Sequence, residues 1–236
     1  MKFYEVENYE QLSRMAANLI MAQVVSKPES VLGLATGSSP VGTYKKLIES
    51  YKNGDVDFSK ITSINLDEYV GLVGTDVQSY RYFMDTNFFN HVNVNKSNTH
   101  VPNGCAPELD KEVARYDKLI ELVGGIDLQL LGIGIDGHIG FNEPDEIFVK
   151  ETHVVDLEES TIEANARFFE KKEDVPKQAI SMGIGGIMSA KKVVLIANGK
   201  NKKDIVKKAF FGPVTPKVPA SILQLHPDAT IIYSEN

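Results

Sequence analysis

Short apolar runs alternate with amphipathic stretches along the chain, and no other feature of the sequence constrains the fold so strongly. Asn8 is placed to open a helix, with Gln11 three residues on as a capping-box partner. Leu12, Met15, Ala16, Leu19 and Ile20 follow at helical spacing. The run from Val31 to Ala35 reads as a buried strand, and a helix through Tyr44, Leu47 and Ile48 comes after it. Ile61 to Asn65 predicts the next strand, Ser79 to Phe89 a helix, and Pro107 to Leu122 another. Ile126 to Leu131, Val193 to Ala197 and Thr230 to Tyr233 predict three further strands, with a helix from Asn201 to Phe210 before the last. In the less periodic part, Val154 and Val155 read as extended, residues 162–169 as a short helix, and residues 181–190 as a compact glycine-rich segment.

Strands alternating with helices build βαβ units, whose parallel strands are covered on both faces. The expected fold is therefore α/β: a doubly wound, mainly parallel, Rossmann-like sheet with helices on both faces. No proline-rich linker, composition shift or internal repeat divides residues 1–236, so a single domain is expected. In such a sheet, ligands bind beyond the carboxyl ends of the strands. That directs attention to the loops after Ala35, Asn65, Leu131 and Ala197.

Charge narrows the partners. The 236 residues carry 25 Lys and Arg against 32 Asp and Glu, a net of −7. A broad nucleic-acid surface would need the opposite balance, so no nucleic-acid partner is expected, while a small anion held by a few local cations remains compatible. With Cys105 as the one cysteine, the chain can form no internal disulfide and no cysteine-based zinc site. There is no apolar signal core at the N-terminus and no run long enough to span a bilayer, so a cytoplasmic protein without a membrane partner is expected.

Three of the four loops carry clusters with chemical meaning. Thr36-Gly37-Ser38-Ser39-Pro40 joins a strand to a helix, where backbone N–H groups and the helix dipole favour an anion. It lacks the Gly-Lys-Ser/Thr of a P-loop, and a plain capping turn is the competing reading. Gly132-Ile-Gly-Ile-Asp-Gly137 matches G-x-G-x-x-G, but Asn142-Glu143-Pro144 follows too closely for the helix a dinucleotide fingerprint must open, which excludes NAD.

The same loop holds Asp136, His138 and Glu143, a histidine flanked by carboxylates that fix its tautomer and raise its basicity for general acid–base work. One histidine with carboxylates at these spacings matches no strong metal pattern. Asp67 and Glu68 follow a strand directly, and as neighbours they are expected to point different ways. Arg167 and Lys202 supply cations, Lys202 in the first turn of a helix, where a positive charge is unfavourable unless an anion is nearby. His91, His100, His153 and His226 read as structural or surface residues.

Four segments together resemble the glucosamine-6-phosphate deaminase family, sister to 6-phosphogluconolactonase. They are Leu34-Ala-Thr-Gly-Ser-Ser-Pro40, Asn65-Leu-Asp-Glu-Tyr-Val-Gly71, Gly134-Ile-Asp-Gly-His-Ile-Gly-Phe-Asn-Glu-Pro144 and Leu223-Gln-Leu-His-Pro227. The resemblance implies conversion of glucosamine 6-phosphate and water into fructose 6-phosphate and ammonia, a hydrolase or isomerase chemistry of amino-sugar catabolism, without metal or organic cofactor. It assigns ring opening to His138 with Asp136 and Glu143, and removal of the C2 proton to Asp67. It gives the substrate phosphate to Thr36, Gly37, Ser38, Ser39, Arg167 and Lys202, and close backbone approach to the sugar to Gly137. The sister lactonase is less similar, since it continues the Gly-Asp-Gly-His core differently. Lactone hydrolysis and a non-catalytic sugar-phosphate sensor are the alternatives. The basic effector positions of regulated hexameric members fall on His153 and Val155, so an unregulated monomer is favoured. Residues 145–172 are a candidate lid.

Overall fold

The computed structural model describes residues 1–157, 162–163, 169, 171 and 174–236. Its centre is a seven-stranded sheet in which every neighbouring pair is parallel. In chain order the strands are β1 (Lys2–Val6), β2 (Val31–Leu34), β3 (Thr62–Asn65), β5 (Thr99–His100), β6 (Leu128–Leu131), β9 (Val193–Asn198) and β10 (Ala229–Ser234). Their spatial order is β1-β10-β9-β6-β2-β3-β5. The four central strands are buried along nearly their whole length, as parallel strands sandwiched between helices must be. The flanking helices are α1 (Tyr9–Ser26), α2 (Val41–Asn53), α3 (Tyr80–Asn87), α4 (Leu109–Leu122), α5 (Ile184–Met188) and α6 (Lys203–Phe211). Among the described residues, no helix is long and apolar enough to cross a membrane.

The helix starts show how local sequence sets the boundaries. Asn8 caps α1, its side chain accepting from the Gln11 N–H at 3.0 Å. Gln11 reaches back one residue further than a capping box requires, its Oε1 accepting from the Glu7 N–H at 3.3 Å. Pro40 sits at the N-cap of α2 and not inside its first turn. Helix α4 begins at Leu109, two residues beyond the proline expected to open it.

Two features have no counterpart in the apolar pattern. Strand β1 lies at the sheet edge beside β10 and is mostly exposed, so it shows no apolar run. A second, antiparallel sheet has the order β4-β8-β7, formed by β4 (Asp67–Tyr69), β7 (His153–Asp156) and β8 (Gln178–Ser181). Val154 and Val155 are extended, as expected, within β7. The glycine-rich segment after β8 contains the short helix α5. The helix expected over 162–169 falls largely outside the described residues, and so does Arg167.

This topology positions the site. From β2 the chain moves outward to β3 and β5, then returns to β6 on the other side of β2. The order reverses between β2 and β6, which opens a crevice at their carboxyl ends.

Candidate active site

A cleft of about 550 Å³ occupies that crevice. Its walls come from the loops after β2, β3, β6 and β9, the four places where a ligand was expected.

The loop after β2 contributes Thr36, Gly37, Ser38 and Ser39. Gly37 has φ +85 with open space where a Cβ would stand, so backbone conformation alone calls for glycine there. The buried Tyr44 donates its hydroxyl to the Ala35 carbonyl at 2.5 Å, fixing the point where the strand ends.

The loop after β3 turns the chain into the small sheet. Asn65 donates to the Leu34 carbonyl at 3.1 Å, and its own carbonyl accepts from the Tyr116 hydroxyl at 2.7 Å. The Met182 N–H donates to the Leu66 carbonyl at 2.7 Å, and β4 begins with Asp67 on the cleft wall. Burial, reinforced by the Glu68 charge and opposed by His138, pushes the Asp67 carboxyl up to about 7. Glu68 accepts from the N–H groups of Tyr69, Tyr80 and Arg81, each at 2.9 Å. It therefore ties the start of α3 to β4. Burial pushes Glu68 up to about 7 as well, against those three hydrogen bonds. The two acids do point different ways, Asp67 to the cleft and Glu68 into the scaffold.

The loop after β6 assembles the histidine cluster. His138 Nδ1 lies 2.8 Å from Asp136 Oδ1 and 3.1 Å from Glu143 Oε2. Burial would lower the imidazole pKa, but hydrogen bonds and charge from Asp136 and Glu143 outweigh it and raise it to about 9. Burial works to raise Asp136, yet His138 holds it well below the usual carboxylate range. With Nδ1 engaged by carboxylates, Nε2 is the nitrogen left for a ligand, and His138 lines the cleft. Glycine makes this packing possible: a Cβ on Gly134 would lie 2.3 Å from His138 Cε1. The loop is anchored to the end of β8, where Asn142 Nδ2 donates to the carbonyls of Ile139 and Met182 at 2.9 Å. The Phe141 N–H donates to Ser181 Oγ at 3.0 Å. Among the described residues, Asp136, His138 and Glu143 are also the group that could hold a metal ion, their ligand atoms lying within 4.8 Å of one another.

After β9 comes a 3-10 turn, Lys200–Lys202, which leads into α6. Lys202 lies at the end of that turn, lines the cleft, and donates from Nζ to the Ile133 carbonyl at 2.8 Å. The fold thus brings the cation, the Thr36–Ser39 loop, Asp67, Asp136 and His138 to one cleft, while Glu143 does not line it and meets it through His138 Nδ1, 3.1 Å away.

Gly137 is not among the residues that line it. Its φ is +98, and a Cβ there would meet Val218 Cγ1 at 2.8 Å and Ile205 Cδ1 at 3.1 Å. Its need for glycine lies in packing against α6 and the segment after it. Conversely Tyr80, Asn198 and Asn201 line the cleft without having stood out in the sequence. Asn198 ends β9 and could have been found from that position; Tyr80 reads as an apolar helix residue, and its ring stacks on Phe141. His226 is structural, buried with Nε2 2.8 Å from the Ala190 carbonyl.

The family model for glucosamine-6-phosphate isomerases/6-phosphogluconolactonase matches residues 6–232. A glucosamine-6-phosphate deaminase of Lachnoclostridium phytofermentans is 65% identical over 98% of each chain. That of Thermoanaerobacter pseudethanolicus is 57% identical over 100% of this chain and 93% of its own. Among solved structures, a monomeric glucosamine-6-phosphate deaminase matches with a TM-score of 0.97 at 45% identity, over 99% of this chain and 97% of the other. The 6-phosphogluconolactonase of Thermotoga maritima, at 17% identity over 100% and 99% of the two chains, shares the fold with a TM-score of 0.77. The chain belongs to the glucosamine-6-phosphate isomerase/6-phosphogluconolactonase family.

Proposed function

We propose that this protein is a glucosamine-6-phosphate deaminase, an isomerase that releases ammonia as it converts glucosamine 6-phosphate and water into fructose 6-phosphate. The observation that carries the reading is the pairing of two acid–base groups in one cleft. Asp67 is a buried carboxyl poised near neutrality, and His138 is an imidazole held between two carboxylates.

Each residue has a defined part. His138 gives a proton to the ring oxygen and takes one from the anomeric hydroxyl, which opens the sugar. Asp136 and Glu143 hold its ring and stabilise its charge. Asp67 removes the C2 proton, leaving an enolamine, and returns a proton to C1. The resulting ketimine adds water and expels ammonia. A carbon acid this weak needs a base within hydrogen-bond reach and a substrate in fixed register. Register comes from the phosphate, bound by Thr36, Gly37, Ser38, Ser39 and Lys202. Arg167 joins them on the strength of the resemblance. Hydrolysis describes only the last step, so deaminating isomerase is the better class than hydrolase. The scheme calls for no cofactor.

Relatives at 65% and 57% identity favour the deaminase over lactone hydrolysis, for which the likeness is one of fold. We take residues 1–236 as one catalytic unit, cytoplasmic and monomeric, the last by likeness to the monomeric deaminase at 45% identity. Offering the protein glucosamine 6-phosphate and 6-phosphogluconolactone separately tests the reading. Fructose 6-phosphate from the first and no accelerated hydrolysis of the second is the expected pair of results; the reverse pair would replace the deaminase by the lactonase.

A further inference from the structure

Helix α2 starts without the usual cap. Its N-cap is Pro40, and no side chain there accepts from the first turn. First-turn N–H groups need partners, commonly a Ser, Thr, Asp or Asn at the N-cap itself. In this chain the partner comes from another element. The hydroxyl of Tyr9, the first residue of α1, accepts from the Gly42 N–H at 2.8 Å. The same hydroxyl lies 2.9 Å from the Ser39 carbonyl, to which it donates, and 3.2 Å from that of Ser38.

The close approach is built into the helix pair. A Cβ on Gly42 would stand 2.2 Å from Ser13 Oγ and 2.9 Å from Tyr9 Cε1. Only glycine at this position lets α2 come near enough to α1 for the hydroxyl to reach. Tyr9 does not line the cleft, whereas Ser38 and Ser39 do.

We infer that Tyr9 is a positioning residue for the anion subsite at the start of α2. Its hydroxyl proton holds the Ser39 carbonyl on the α1 side, with the Ser38 carbonyl turned the same way 3.2 Å from that oxygen. Their negative ends are thereby kept away from the cleft, where they would oppose a bound phosphate, and the donors of the loop are left for the ligand. The inference rests on reading Thr36–Ser39 as the phosphate loop.

Tyr9→Phe keeps the ring and deletes the hydroxyl. The expected result is a rise of roughly 5- to 10-fold in both KM for glucosamine 6-phosphate and the inhibition constant of inorganic phosphate, the scale of one hydrogen bond. The kcat should stay within about 2-fold, because the hydroxyl acts on binding of a remote group. Unchanged KM and phosphate inhibition would overturn the inference. So would a fall in kcat or in melting temperature with KM and phosphate inhibition intact, since either makes the contact merely structural. Wild-type protein that ignores inorganic phosphate and handles glucosamine as well as its 6-phosphate would instead sink the phosphate-loop reading, and the Tyr9 inference with it.

Discussion

Asp67 and Glu68 are consecutive residues of one strand, yet one carboxyl faces the cleft and the other accepts three backbone N–H groups at the start of α3. A strand alternates its side chains, so neighbouring acids are delivered to opposite sides without special geometry. The scaffold acid is partnered by those donors, while the cleft acid meets mainly burial, the Glu68 charge and His138.

That environment makes Asp67 costly to the fold. Its folded pKa of about 7 lies above the value for an exposed carboxyl, so the native state disfavours its ionised form. The penalty grows as pH rises from about 4 to 7 and is fully present above that, at no more than about 4 kcal/mol. Asp67→Asn should therefore melt higher than wild type at pH about 8, with the gain vanishing near pH 4, while kcat falls about 1000-fold. Thermal melts at the two pH values and turnover by the same variant check this; equal melting at both would show that Asp67 is not strained.

The activity profile should be bell-shaped. The acid limb falls as Asp67 is protonated around 7, and the alkaline limb as His138 loses its proton around 9. Because the raised His138 pKa also stabilises the folded state only while the ring is charged, stability should decline over the same alkaline range, from about 6.5 upward. Rates and melts across pH read both effects. A flat alkaline limb would remove the charged imidazole from the account.

Gly134 should be intolerant for a reason other than its backbone. A methyl group there would take the space of the His138 ring, 2.3 Å from Cε1 and 2.4 Å from Nδ1. Gly134→Ala is expected to lower kcat about 100-fold through misplacement of the ring. The variant should still bind inorganic phosphate. Near-normal turnover would show that the ring can move without penalty.

Much of this was legible from the chain itself. Buried parallel strands such as β9 and β10 declare themselves as apolar runs, and the strand-end rule located the four loops of the cleft. Strand β1 escaped because an exposed edge strand carries no such run. Strand β4 escaped because Asp67-Glu68-Tyr69 carries no apolar run, although all three residues are buried. Tyr80 was hidden for a related reason: helical spacing marks an apolar face but does not say whether that face meets the core or a cleft. The glycine-rich loop revealed its chemistry through Asp136, His138 and Glu143, but the purpose of Gly137 depends on Ile205 and Val218, far along the chain.

Lys202 separates binding from chemistry. It lines the cleft and is held by the Ile133 carbonyl, on the loop that carries the histidine cluster. Lys202→Ala should raise KM for the phosphorylated sugar roughly 10- to 100-fold with a smaller change in kcat. Unphosphorylated glucosamine should be handled poorly by wild type and variant alike. Equal KM values for the variant and wild type would place the phosphate elsewhere.

The most direct test of the whole account is the stoichiometry of ammonium and fructose 6-phosphate released from glucosamine 6-phosphate at a pH between the Asp67 and His138 values. One ammonium per fructose 6-phosphate, abolished by Asp67→Asn, is the predicted result. No ammonium from folded wild-type protein would contradict it.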